Sequence, residues 1–194
     1  MARPLAFDPQ EKLHQAMMLF WRRGYEATSM QELVTELDIN RFSLYNTFGD
    51  KQALFGKAVE LYEQRVFGRL LHCLEGDLTG LEALNYYFES LAAGLRDQVG
   101  VNGCFLQNSL LEGAIENQDV LKRIRKVFLR LRKALERSVV QAKDEGDFVS
   151  VECEKKMADY LLLQVQGLIA LNGLGIGQQA DNAVAVLRQH LENL

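Results

Sequence analysis

Between Asn40 and Gly49 the chain reads Arg41-Phe42-Ser43-Leu44-Tyr45-Asn46-Thr47-Phe48, a short run rich in side chains able to read a base edge or hold a phosphate. Arg41 can grip guanine through two parallel N–H groups or hold a phosphate; Asn46 can pair with the edge of adenine; Ser43 can serve either. Phe42 either meets a thymine methyl or packs inward and shifts the helix that carries it. Asn40, just before this run, is placed both to cap a helix and to face the same ligand. Thr28 and Ser29 open another short helix, where exposed amides and the helix dipole favour an anion. The plainer reading of each polar residue is a cap or an ordinary solvated side chain.

Other chemistry is sparse. Cys73, Cys104 and Cys153 are far apart and odd in number, with no Cys-x-x-Cys pair and no Cys/His cluster at zinc spacing, so neither a disulfide scaffold nor a structural metal is expected. Cys104 follows Asn102-Gly103 at the start of a helix. That position lowers a thiol's pKa, the alternative being a buried structural cysteine. His14, His72 and His190 are isolated. The chain has no glycine-rich phosphate loop, nucleophile elbow or paired carboxylates, so no catalytic residue and no cofactor is expected. From 122 to 133 there are seven basic residues and no acid. This run is either the solvated face of an amphipathic helix or the contact surface of a helical adaptor or membrane-surface protein. Phe67, Tyr87, Phe88, Phe105 and Phe128, with Cys104 as wall, line an apolar ligand pocket or are plain core.

These residues need helices to hold them. Of 194 residues, the two prolines are Pro4 and Pro9, and everything beyond is free of the strongest helix breaker. Asp8 caps a first helix with Pro9 at its first position, and Gly24 stops it. Thr28 or Ser29 followed by Gln31 or Glu32 is a capping-box pattern for a second helix. Asp38 supplies a tight turn, Asn40 caps a third helix, Gly49 ends it and Asp50 caps a fourth running through Val66. Two short capped helices joined by a tight turn, with one in front, describe a helix-turn-helix unit. Further helical patterns span 81–96, 104–115, 120–143, 151–174 and 183–194, giving about nine helices, no strand and an all-α fold. The 151–174 pattern is apolar nearly all round. With the last helix it is expected to form a four-helix dimer interface through Leu161, Leu168, Leu187 and Leu191. Twenty-six acidic against 22 basic side chains give −4; this excludes binding nucleic acid through overall charge, but not through a local surface. No signal peptide or bilayer-length span is read, and a reducing, cytoplasmic setting is expected.

The residues Leu19-Phe20, Gly24-Tyr25, Ala27-Thr28-Ser29-Met30, Ile39, Ser43-Leu44-Tyr45, Phe48-Gly49, Lys51 and Leu54-Phe55 resemble the tetracycline-repressor (TetR) family of bacterial regulators. The resemblance implies a DNA-binding domain at 1–49 and an effector-binding and dimerisation domain at 50–194. It implies a homodimer, most simply a repressor, that binds a palindromic operator and is released by a small apolar or thiol-reactive effector. It also makes Tyr45 and Lys51 phosphate contacts. A Gly-Cys pair such as Gly103-Cys104 is similar to that of members that sense electrophiles or oxidants. Two positions depart from the family pattern: Asp38 stands where glycine is usual, and Phe42 where a small residue is usual.

Overall fold

The computed structural model describes residues 7–96, 102–113, 115–149, 153–173 and 177–194. Among them the chain is helical throughout: α1 Pro9–Arg23, α2 Met30–Leu37, α3 Arg41–Phe48, α4 Lys51–Tyr62, α5 Gly68–Glu75, α6 Gly80–Arg96, α7 Phe105–Glu112, α8 Gln118–Glu145, α9 Glu154–Gly173 and α10 Gly177–Leu191. Residues 63–67 form a π-type turn, so the helix expected to run through Val66 changes its hydrogen bonding after Tyr62 and resumes as α5. The expected helix at 104–115 stops at Glu112, where Gly113 takes a φ of 66°. The ends of the expected 151–174 pattern, Val151 and Leu174, lie outside the described residues.

The helix boundaries follow from local chemistry. Asp8 accepts a hydrogen bond from the amide of Gln10, with Pro9 at the first position of α1. Ser29 and Glu32 make a full capping box: the Glu32 amide donates to Ser29 Oγ at 3.2 Å, and the Ser29 amide donates to the Glu32 carboxylate at 2.8 Å. Those bonds, foremost the backbone one, hold the Glu32 carboxyl below the ordinary 4.5. The box therefore supports α2 at neutral pH and is lost as pH falls through the lowered value. Asn40 and Asp50 cap α3 and α4 through bonds from the Ser43 and Ala53 amides, each 2.8 Å.

Packing groups the described residues up to Arg65 with Phe105–Ile124 in one unit, and Val66–Cys104 with Arg125–Leu194 in another. The helix-turn-helix boundary read at Gly49 marks the end of α3; the packing unit also takes in α4, α7 and the start of α8. In this first unit α1 packs on α4 and α2. An aromatic core joins them: Phe20 meets Phe55 edge-on at 5.2 Å, Trp21 meets Tyr62 at 4.9 Å, and Phe105 contacts both Phe55 and Tyr62 at 5.5 Å. Such edge-to-face pairs add about 0.5–1.5 kcal/mol each beyond area burial.

In the second unit α6 packs against α5, α9 and α10, and α10 also packs on α9. Leu84, Tyr87, Phe88, Leu91 and Leu95 of α6 are buried, as are Leu131, Leu135 and Val139 of α8. Arg96 pairs with Asp181 at 2.7 Å, and Arg188 donates to Asn85 at 3.2 Å, tying α6 to α10.

The turn between α2 and α3 rests on Asp38, whose φ of 48° and ψ of 47° are left-handed; among the described residues it is the one non-glycine with a positive φ. Aspartate reaches this region more readily than alanine because its short polar side chain bonds locally, and glycine reaches it without strain. Asp38→Ala is expected to lower stability by about 1 kcal/mol, and Asp38→Gly to match or exceed the parent. Urea unfolding checks this; identical midpoints for all three chains contradict the reading.

Candidate nucleic-acid interface

α3 has eight residues, too few to be stable as an isolated helix. Leu44 and Phe48 hold it, both buried in the first unit. With about 100° of turn per residue, Phe42 and Asn46 fall roughly opposite Leu44. Arg41, Phe42, Tyr45 and Asn46 are all exposed, and Ser43 is half-buried. The open choice at Phe42 is thereby decided: its ring is 76% exposed and does not pack inward. The Arg41 guanidinium lies over the Tyr45 ring, 5.7 Å from its centroid. The side-chain oxygen of Asn40 is taken by its cap, so its amide N–H groups are what it can offer a ligand.

Thr28 does not join this surface. It is 0% exposed, and its hydroxyl donates to the Gly24 carbonyl at 2.7 Å. A phosphate contact by its side chain is therefore corrected to a structural bond across the loop between α1 and α2. Ser29 is exposed. Its oxygen accepts the capping bond, which leaves the O–H as a donor.

Lys51 sits at the first position of α4 with its Nζ 4.3 Å from the centre of the Tyr25 ring and 3.4 Å from the Glu26 carbonyl. The acids of α2 are matched by arginines of α1: Arg22 pairs with Glu36 at 2.6 Å and Arg23 with Glu32 at 2.7 Å. The two acids of α2 are thus occupied, Arg41 on α3 is exposed, and Lys51 is half-buried at the start of α4. Sequence reasoning missed Glu112 at the end of α7. Its Oε2 accepts from the amides of Tyr25 and Glu26 at 2.8 and 3.1 Å, fixing the loop that leads into α2. No local signal marks Glu112, because Tyr25 lies 87 positions away in the chain.

Two family models match. Residues 13–58 match "Bacterial regulatory proteins, tetR family", and residues 80–188 match "Tetracyclin repressor-like, C-terminal domain". The chain belongs to the TetR family. It is similar to the uncharacterised HTH-type transcriptional regulator YezE of Bacillus subtilis (strain 168), 32% identical over 76% of each chain. It is also similar to the HTH-type transcriptional repressor ComR of Escherichia coli (strain K12), 28% identical over 86% of this chain and 80% of that one. Among solved structures, the TetR family regulator CifR, a cysteine mutant complexed with 26-base-pair operator DNA, superposes with a TM-score of 0.84 at 23% identity, covering 98% of both chains. This TetR-family chain is a DNA-binding transcriptional regulator with an all-α fold, and α2, its turn and α3 are the helix-turn-helix.

Elsewhere in this TetR-family chain several expected sites move. The six residues named for an effector pocket divide between the two units, Phe105 in the first and the other five in the second. Phe105 packs on Phe55 and Tyr62 in the first unit. Tyr87 and Phe88 are buried edge-to-face, 5.4 Å apart, in the second, and burial, with Cys104 and Cys73 nearby, holds the Tyr87 phenol protonated. Phe67 and Phe128 form a separate half-exposed pair at 6.3 Å. Cys104 does stand at the start of α7, but at 5% exposure it is more buried than Cys73 or Cys153. A sensor thiol must be reachable, and the thiol-sensing alternative is set aside for that reason.

The adaptor reading of 122–133 is not favoured either, since four of its seven basic residues are engaged by acids. Lys122 pairs with Asp119, Arg123 with Glu60 and Glu63, Arg130 with Glu75, and Arg132 with Glu136 and Asp159. No helix among the described residues is long and apolar enough to cross a membrane. The four leucines expected at a dimer interface are corrected as well. Leu161, Leu168, Leu187 and Leu191 are all buried within the chain itself.

The division between Thr28 and Ser29 is testable. Thr28→Val is expected to cost about 1–2 kcal/mol of stability by leaving a loop carbonyl short of a partner, with little change in DNA affinity of the folded protein. Ser29→Ala is expected to cost about 0.5–2 kcal/mol of stability through the lost cap of α2 and, unlike Thr28→Val, also to reduce the DNA affinity of the folded protein. Parallel denaturation and gel-shift titrations separate the two, and an affinity loss confined to Thr28→Val reverses the assignment.

Proposed function

We propose that the chain is a repressor that binds a palindromic operator as a homodimer and leaves it when a small effector binds among the helices of the second unit. The observation that carries this reading is the outward face of α3, where Arg41, Phe42, Tyr45 and Asn46 stand exposed while Leu44 and Phe48 lock the helix from behind. Ser29, Asn40, Ser43 and Lys51 flank that face and supply further donors for phosphate or base. ComR, a repressor by name, supports the direction of control. With −4 overall, affinity rests on these placed contacts and on having two copies of them. Two copies of α3 reading successive major grooves must lie about 34–36 Å apart. An effector that favours another separation weakens binding by as much as it prefers that second state.

The dimer surface follows from what the leucine core leaves outside. On α9, Tyr160 and Leu163 are exposed, with Gly167 and Ala170 further along the same helix; on α10, Val186 is exposed and Ala183 half-exposed. Leu163 and Val186 are each 66% exposed, an apolar surface of the kind that pairs with its symmetry mate. Pairing α9 and α10 with their copies makes a four-helix interface.

Selection of DNA from a random pool, followed by gel-shift at defined salt, tests the operator reading. Arg41→Ala is expected to weaken the selected site by about 1–3 kcal/mol and to relax preference at one base pair per half-site. A uniform loss across all sequences makes Arg41 a phosphate contact instead.

Leu163→Glu combined with Val186→Glu is expected to give folded monomers with much weaker operator binding, as read by sedimentation and gel-shift. A double variant that stays dimeric places the interface elsewhere.

A further inference from the structure

Phe42 is the most exposed aromatic side chain among the described residues, on a helix whose other outward groups are polar. It cannot be drawn into the core by rotating its side chain, because it lies about 160° around α3 from Leu44 and about 120° from Phe48. Arg41 is held against Tyr45, so it does not cover the Phe42 ring. One turn further along the same face stands Asn46, also exposed.

A phenyl ring offers no hydrogen bond, so it can discriminate between bases only through an apolar contact. In the major groove one base presents an apolar group on its edge, the 5-methyl of thymine. An exposed carboxamide one helical turn away, about 6 Å along the axis, suits the N6 and N7 edge of adenine. Both preferences point to A·T pairs.

We propose that Phe42 is a specificity-determining residue that reads a thymine 5-methyl group in each operator half-site, beside an adenine taken by Asn46. This rests on the operator-binding reading above and adds to it a base, an atom and a residue. The contact covers a methyl group that is otherwise hydrated, so its loss is expected to weaken one half-site about fourfold. Loss at both half-sites of a palindrome is expected to cost about fifteenfold, since distant sites add.

The test uses the full chain and the site selected from random DNA. Each thymine of the half-site is replaced in turn by deoxyuridine, which keeps every hydrogen-bonding group and removes the methyl alone. The parent is expected to lose affinity at one position, about fourfold for one half-site and fifteenfold for both. Phe42→Ala is expected to bind the thymine and deoxyuridine sites equally, near the parent's affinity for deoxyuridine, with an unchanged thermal midpoint because the ring is exposed. Phe42→Leu is expected to keep part of the discrimination. A parent indifferent to deoxyuridine at every position overturns the proposal, as does a Phe42→Ala chain that retains the parent's sensitivity or loses stability. Failure to select any DNA sequence overturns the operator reading itself, and is distinguishable from those outcomes.

Discussion

The outward face of α3 depends on two buried side chains of that one short helix. α3 cannot pay the nucleation cost of a helix alone; Leu44 and Phe48, buried behind it, supply the missing free energy. Burying two such side chains is worth about 3–6 kcal/mol against leaving them in water. They also set the rotation of α3, and rotation decides which residues face outward. The exposure of Phe42 and Asn46 is the geometric complement of the burial of Leu44 and Phe48.

The supporting contacts act on the same element from other directions. Asp38 in its left-handed conformation sets the angle at which the chain enters α3, and Asn40 closes the helix start. On the far side of α2, the Glu112 carboxylate holds the Tyr25 and Glu26 amides, and Lys51 rests on the Tyr25 ring. The loop between α1 and α2 is thus gripped at its backbone, while Thr28 closes it through its hydroxyl. α7, which carries Glu112, begins directly after Cys104 in the sequence.

A chain of net negative charge reaches a polyanion through this arrangement. The pairs Arg22–Glu36 and Arg23–Glu32 neutralise acids locally, and exposed charges beyond about 10 Å are screened at moderate salt. Similar pairing thins the basic stripe of α8, where Arg123, Arg130 and Arg132 meet acids from α4, α5 and α9, while Arg125, Lys126 and Lys133 stay exposed on its solvated face. A solvated ion pair is worth little in stability, but it weakens the local field of the cations it engages.

Local rules made the helices legible from the sequence alone. Pro9, Ser29, Asn40 and Asp50 start them, Gly24 and Gly49 stop them, and Asp38 turns between two of them, because caps and turns involve residues a few positions apart. The motif from Leu19 to Phe55 was readable for the same reason, and with it the family and the polar residues of α3, whereas the outward placement of Phe42 was decided by the structure. What tertiary structure alone decided was burial and long-range partnership. Thr28 and Ser29 are adjacent and chemically alike, yet one is sealed under the loop and the other exposed. Helical spacing marks Leu161, Leu168, Leu187 and Leu191 as an apolar face without saying what covers it; the chain's own core does, leaving Leu163 and Val186 outside. The aromatics named as one pocket fall into separate packing units, and Cys104 is placed at a helix start but enclosed. Hydrophobic periodicity reports that a face is apolar, whereas which neighbour covers it is set by contacts between segments distant in the chain.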